Sequence, residues 1–123
     1  MQFDPLSNRV IGCAIEVHRA LGPGLLESVY QHCLAHELAS QQIACLAEHP
    51  LPVEYKGRLI DCGYRLDLLI EDALIVELKS VDRLLPIHEA QILTYMKLAK
   101  IRTRLLINFN AVMLRDGLKR FVL

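Results

Sequence analysis

Two runs of alternating residues, Tyr64 to Ile70 and Leu74 to Val81, flank a three-residue polar turn, Glu71-Asp72-Ala73. Alternation of period two on both sides of a short turn is the pattern of a β-hairpin. Tyr64, Leu66, Leu68 and Ile70 point one way and Arg65, Asp67 and Leu69 the other; Leu74, Val76 and Leu78 likewise oppose Ile75, Glu77 and Lys79. One face is apolar and the other carries charge. If the turn centres on Asp72, Asp67 lies five residues before it and Glu77 five after, so the two acids stand directly opposite on one face. Their Cβ atoms are then about 5 Å apart.

Like charges placed opposite each other destabilise a hairpin, and apolar neighbours add a desolvation cost. Something must offset it. Two readings answer: a salt-bridge network with Arg65 and Lys79 on the same face, or a hard divalent cation held by both carboxylates and the Leu78 carbonyl, with Lys79 positioning or activating water for attack at phosphorus.

The rest of the chain supplies elements around this hairpin. Helical spacing predicts a helix from about Asn8 to Leu21 with Ser7 as its cap, ended by Gly22-Pro23-Gly24, and a second from about Leu26 to Ser40. Short strands are expected near Ile43 to Ala47, Leu51 to Tyr55 and Leu59 to Asp61. After Pro86 a third helix covers Ile87 to Lys100, and strands Arg104 to Phe109 and Leu118 to Val122, parted by Asp116-Gly117, close the sheet. This order predicts a mixed α/β (α+β) architecture, not a doubly wound nucleotide fold. At 123 residues the chain fits one domain, 1–123.

The formal charge is zero, so no whole-protein basic field draws in a polyanion. The distribution is uneven. Through Met96 there are 7 basic and 13 acidic residues; from Lys97 onward Lys97, Lys100, Arg102, Arg104, Arg115, Lys119 and Arg120 face Asp116 alone. A basic end beside an acidic body reads either as a phosphate-facing surface or as two solvated faces. Cys13, Cys33, Cys45 and Cys62 form no C-x-x-C pair and are expected as buried thiols in a reducing, cytoplasmic setting. Met1 to Arg9 lacks an apolar signal core, and no run approaches the about 18 apolar residues of a membrane span.

Other polar groups fall on helices. Glu27 opens the second helix, where an acid suits the positive helix end. Gln91 and Tyr95, four apart, share a face of the third. His32 and His36 have the spacing of paired zinc ligands but no third ligand; His18 is expected at the core's edge, His88 at a helix cap, and Ser80 lacks a histidine partner for hydrolase chemistry.

The strings Gly22-Pro23-Gly24-Leu25-Leu26-Glu27-Ser28-Val29-Tyr30, Gly63-Tyr64-Arg65-Leu66-Asp67-Leu68-Leu69, Val76-Glu77-Leu78-Lys79 and Glu89-Ala90-Gln91-Ile92-Leu93-Thr94-Tyr95 resemble the GxxExxY protein family. So does the ending from Asn108-Phe109-Asn110 through Asp116-Gly117-Leu118-Lys119-Arg120, and the resemblance runs from about Ile11 to Leu123. That family is similar to the PD-(D/E)XK nuclease superfamily, whose restriction-endonuclease-like fold is a mixed central sheet flanked by helices.

The resemblance implies metal-dependent phosphodiester hydrolysis of nucleic acid, with DNA the expected substrate and Mg²⁺ or Mn²⁺ the cofactor. It implies that Asp67 and Glu77 are metal ligands, Lys79 the catalytic lysine, and Glu27 the helix-borne acid that completes the site. Gln91 and Tyr95 resemble the Q-x-x-x-Y helix element that supports the site and contacts substrate. The basic end, Lys97, Lys100, Arg102, Arg104, Lys119 and Arg120, would then grip the backbone. Leu66 stands where the superfamily's name-giving proline would precede Asp67. Cutting both strands of a duplex would call for a homodimer. A noncatalytic nucleic-acid-binding or assembly module that keeps the fold is the competing reading.

Overall fold

A computed structural model describes residues 4–123; Met1 to Phe3, part of the stretch read as lacking a signal core, lie outside the described residues. In chain order the elements are α1 (Pro5–Leu21), α2 (Glu27–Ser40), β1 (Cys45–Pro50), β2 (Val53–Tyr55), β3 (Arg58–Ile60), β4 (Arg65–Ile70), β5 (Leu74–Lys79), α3 (Pro86–Ala99), β6 (Thr103–Asn108), a 3-10 turn (Leu114–Gly117) and β7 (Leu118–Val122). Five strands form one sheet in the order β1-β4-β5-β6-β7, antiparallel except for the parallel β5–β6 pair, while β2 and β3 form a separate ribbon. The parallel step needs a crossover, and α3 provides it.

The expected hairpin is present in the expected register: Leu68 pairs with Val76, Leu69 with Ile75 and Ile70 with Leu74. Glu71 and Asp72 both take left-handed backbone (φ +53), the conformation that matches the twist of a tight hairpin. The apolar face, Leu68, Ile70, Leu74, Val76 and Leu78 joined by Leu105 and Ile107, packs under α1 and α2 through Val10, Val17, Tyr30, Leu34 and Leu38. The opposite face meets α3, where Ile92 and Met96 seat on Leu106, and Tyr95 and Leu98 on Leu69 and Ile75.

Helix ends depart from the sequence reading where side-chain chemistry overrides spacing. The α1 helix begins at Pro5, because Asp4 rather than Ser7 is its cap: Asp4 Oδ1 accepts the Ser7 N–H at 2.9 Å and Oδ2 the Ser7 hydroxyl at 2.8 Å. Proline at the first helical position suits that start. Burial alone would raise the Asp4 carboxyl, yet the bonds from Ser7 and Arg120 outweigh it and hold it at about 2. Asp4→Ala is expected to lower the unfolding free energy by about 1 kcal/mol in urea titration at pH 7; an unchanged midpoint would mean that this cap carries no stability. The cysteines depart from expectation as well. Only Cys13 is buried; Cys33 and Cys45 are half-buried and Cys62 is exposed, all as free thiols.

Candidate active site

The charged face of the hairpin opens into a narrow cleft of about 150 Å³ between the sheet and α3, lined by Glu27, Arg65, Asp67, Glu77, Leu78, Lys79, His88, Gln91, Ile92, Tyr95 and Leu106. Three separate segments converge here. The hairpin supplies Asp67, Glu77 and Lys79; the start of α2 supplies Glu27; one face of α3 supplies His88, Gln91 and Tyr95. A wider groove of about 510 Å³ between α1 and α2 is lined by Arg9, Cys13, Glu16, Glu37 and Gln41. It contains none of the buried, unpartnered side-chain atoms found beside the narrow cleft.

Asp67 and Glu77 meet on one side of the sheet, as the register requires. Asp67 Oδ2 accepts the Leu78 N–H at 2.8 Å. Glu77 is only 7% exposed, and its Oε1 has no hydrogen-bond partner. Burial, then the charge and hydrogen bond of Asp67, push the Glu77 carboxyl up to about 9, against a smaller downward pull from Arg104. Asp67 is raised too, chiefly by burial; the Leu78 N–H and Glu77 counter it, while the charges of Glu48 and Glu27 add to it. At neutral pH the coupled pair therefore keeps a proton that two free carboxyl groups would have lost.

No salt-bridge network answers the like-charge pair. Among the described residues, Arg65 pairs with Asp61 at 3.5 Å, and Lys79 forms no ion pair. The nearest buried cation is Arg104, fully enclosed beneath the site, whose three nitrogens lack hydrogen-bond partners. Its guanidinium lies 5.7 Å from the Tyr95 ring centre, a cation–π contact. Burial lowers its pKa to about 10, against the opposing charges of Glu77 and Tyr95, so it stays charged at neutral pH.

Loop chemistry positions the remaining groups. Tyr30, fully buried and stacked on Phe109 at 4.5 Å, donates to the Gly22 carbonyl at 2.6 Å and accepts the Leu25 N–H at 3.1 Å. This ties down the loop that delivers Glu27, whose Oε1 accepts the Ser80 N–H at 3.3 Å. Ser80 in turn donates its hydroxyl to the Leu25 carbonyl at 2.5 Å. Beyond Lys79, the side chain of Asn108 clasps Val81 by accepting its N–H at 3.1 Å and donating to its carbonyl at 2.9 Å. Gly117 packs so closely that an added Cβ would meet the Asn108 carbonyl oxygen at 2.2 Å, which explains a glycine there. Asn108→Ala is expected to cost about 2 kcal/mol of stability, because it strands the N–H groups of Val81 and Asn110, which both donate to Asn108 Oδ1, while the Val81 carbonyl keeps the Asn110 amide as a donor; equilibrium unfolding measures it, and a loss below about 0.5 kcal/mol would show the clasp to be dispensable.

The structure brings Glu27, Asp67, Glu77, Leu78, Lys79, Gln91 and Tyr95 to one cleft, but it does not gather the basic end around it. Arg104 is a core residue, since its strand position places it under α3. Arg120 sits on the α1 side of the sheet and pairs with Asp4 at 2.8 Å. Lys119 pairs with Glu89 on α3. Lys100 and Arg102 precede Thr103, which pairs with Leu74 at the far end of β5, about 16 Å along the strand from Lys79. Lys97 is exposed on α3.

Among the histidines, His88 caps α3 by accepting the Leu85 N–H at Nδ1 (3.0 Å), and His18 bonds the Ala111 carbonyl at 2.7 Å. His32 and His36 are exposed, and among the described residues no three His, Cys, Asp or Glu side chains are grouped closely enough to hold a metal by themselves. Glu27 thus lines the cleft without closing a three-acid cage. Glu48, not singled out in the sequence, falls across from Asp67 between the paired positions Ala47–Leu68 and His49–Leu66, and its charge raises the Asp67 carboxyl. Its backbone is left-handed (φ +53) and its carboxylate accepts from the buried Gln31 amide at 3.0 Å. A lone glutamate in a short strand carried no local signal of that placement.

The donors present are hard carboxylate oxygens, one of them buried and unpartnered, and they suit a hard divalent cation that completes its shell with water and substrate oxygens. A family model described as the PD-(D/E)XK nuclease superfamily matches residues 4–121. No curated protein and no solved structure matches the chain.

Proposed function

This chain belongs to the PD-(D/E)XK nuclease superfamily, and on that premise we propose that it is a metal-dependent nuclease of the GxxExxY type, hydrolysing phosphodiester bonds of nucleic acid, DNA foremost. The five-stranded mixed sheet flanked by helices is the restriction-endonuclease-like fold. The observation that carries the proposal is the opposed Asp67–Glu77 pair, set in a cleft with, among the described residues, no basic partner within ion-pair distance and with one buried carboxylate oxygen left unmatched. A fold does not keep such a pair for stability.

Asp67, Glu77 and the Leu78 carbonyl would hold Mg²⁺ or Mn²⁺, which supplies Lewis-acid activation of the phosphate and a lowered pKa for bound water. The Lys79 amine stabilises the negative charge that develops at phosphorus. Glu27 orients water from the α2 side, and Gln91 and Tyr95 contact the substrate strand from α3. No helix among the described residues is long and apolar enough to cross a membrane.

Labelled duplex, single-stranded, branched and RNA substrates incubated with Mg²⁺ or Mn²⁺ test the proposal. Cleavage is expected with metal and none with chelator; a folded protein that cuts none of them would sink it. The noncatalytic module is a distinct outcome, and calorimetry separates the two. Heat of Mn²⁺ binding that vanishes in Asp67→Asn supports the nuclease, and no heat in the intact protein supports the module.

A further inference from the structure

Tyr64 lies just before β4 and meets α3, not the apolar face that alternation assigns it; it borders the cleft through Tyr95 and has nearly half its surface, 46%, exposed. Its ring meets Tyr95 edge-on at 5.7 Å and 62°, and the Tyr95 ring in turn contacts the Arg104 guanidinium. Arg104, Tyr95 and Tyr64 thus form a column from the core to the solvent beside the paired acids. The backbone that carries the outermost ring is tied down. Asp61 accepts the Gly63 N–H at 2.9 Å and pairs with Arg65, while the Tyr64 carbonyl accepts from Leu51 N–H at 2.9 Å and from the Arg65 guanidinium at 2.9 Å. Gly63 supplies the left-handed residue that the turn needs (φ +80).

From this column we propose that Tyr64 is a stacking platform for an unpaired nucleobase next to the scissile phosphate, so that the site takes single or splayed strands in preference to intact duplex. The inference rests on the nuclease reading. Its physical basis is the combination of a half-exposed aromatic ring packed on Tyr95 and the partly exposed Arg65 guanidinium that lines the cleft of the paired acids. A base within a duplex has neighbours on both faces, and only an unpaired one can lay a face on Tyr64.

Fluorescence anisotropy tests this on the whole chain carrying Lys79→Ala with Mg²⁺ present, so that substrate is bound and not cut. The probes are one single strand, its duplex, and the same single strand with an abasic position. The intact single strand should bind most tightly, and the abasic strand about 10-fold more weakly. Adding Tyr64→Ala should cost a similar factor and erase the difference between intact and abasic strands, whereas Tyr64→Phe should keep both. Duplex bound as tightly as single strand, with no effect of Tyr64→Ala, overturns the stacking site while leaving nuclease activity standing. Failure of the unmutated protein to bind or cut any nucleic acid overturns both.

Discussion

Lys79→Ala abolishes metal-dependent cleavage, with an expected loss of at least about 10²–10³ in single-turnover rate, the scale seen when one preorganised stabiliser of developing charge is removed. Lys79 ends β5 two residues after Glu77 and lines the cleft, and among the described residues it makes no ion pair that its removal would break. The fold should therefore survive, with the melting temperature within a few degrees of the parent and Mn²⁺ binding retained. Rate measured under saturating enzyme, alongside circular dichroism, separates chemistry from folding. A variant that cuts as fast as the parent removes Lys79 from the reaction.

Glu77→Gln is expected to stabilise the metal-free chain at alkaline pH. The folded chain binds the Glu77 proton more tightly than the unfolded chain does, since the carboxyl rises from 4.5 to about 9 on burial beside Asp67. Protons bound in excess by the native state mean that stability is full at acid pH and is lost as pH rises through the window from about 4.5 to 9. The metal-free protein should accordingly melt at progressively lower temperature from pH 5 to pH 9. Glutamine keeps the shape, carries no charge and can donate to Asp67, so the variant should lack most of this slope. At pH 8 its melting temperature should exceed that of the parent by about 5–10 °C, corresponding to about 2 kcal/mol in a chain of this size. Mn²⁺ should reverse the order, raising the melting temperature of the parent and leaving the variant unmoved. A metal-free parent whose melting temperature is flat over this range would show that the pair keeps no such proton.

Much of this site could be seen in residue order. Asp67 and Glu77 meet because a hairpin centred on Asp72 leaves their side chains no other face, and Gln91 and Tyr95 share a face because a helix returns after four residues. Within the basic end, Arg104 departs from a surface placement. Arg104 follows Arg102 in a cationic stretch, and position in the chain suggested a surface. Its parity along β6 matches that of Leu106 and Asn108, so it turns toward α3 and is sealed in. Lys119 and Arg120 alternate faces for the same reason, one meeting α3 and the other the start of α1. Glu48 joined the acids through the pairing of β1 with β4, a contact between segments with no shared local pattern.

Periodicity and turn chemistry act over a few residues and are set by backbone geometry, so strand faces, helix faces and the register of one hairpin were readable from the chain alone. Convergence of α2, the hairpin and α3 on one cleft, the burial of Arg104 beneath Glu77, and the approach of Glu48 depend on which surfaces pack together. Those outcomes follow from burying apolar faces across long separations, and no short stretch of residues encodes them.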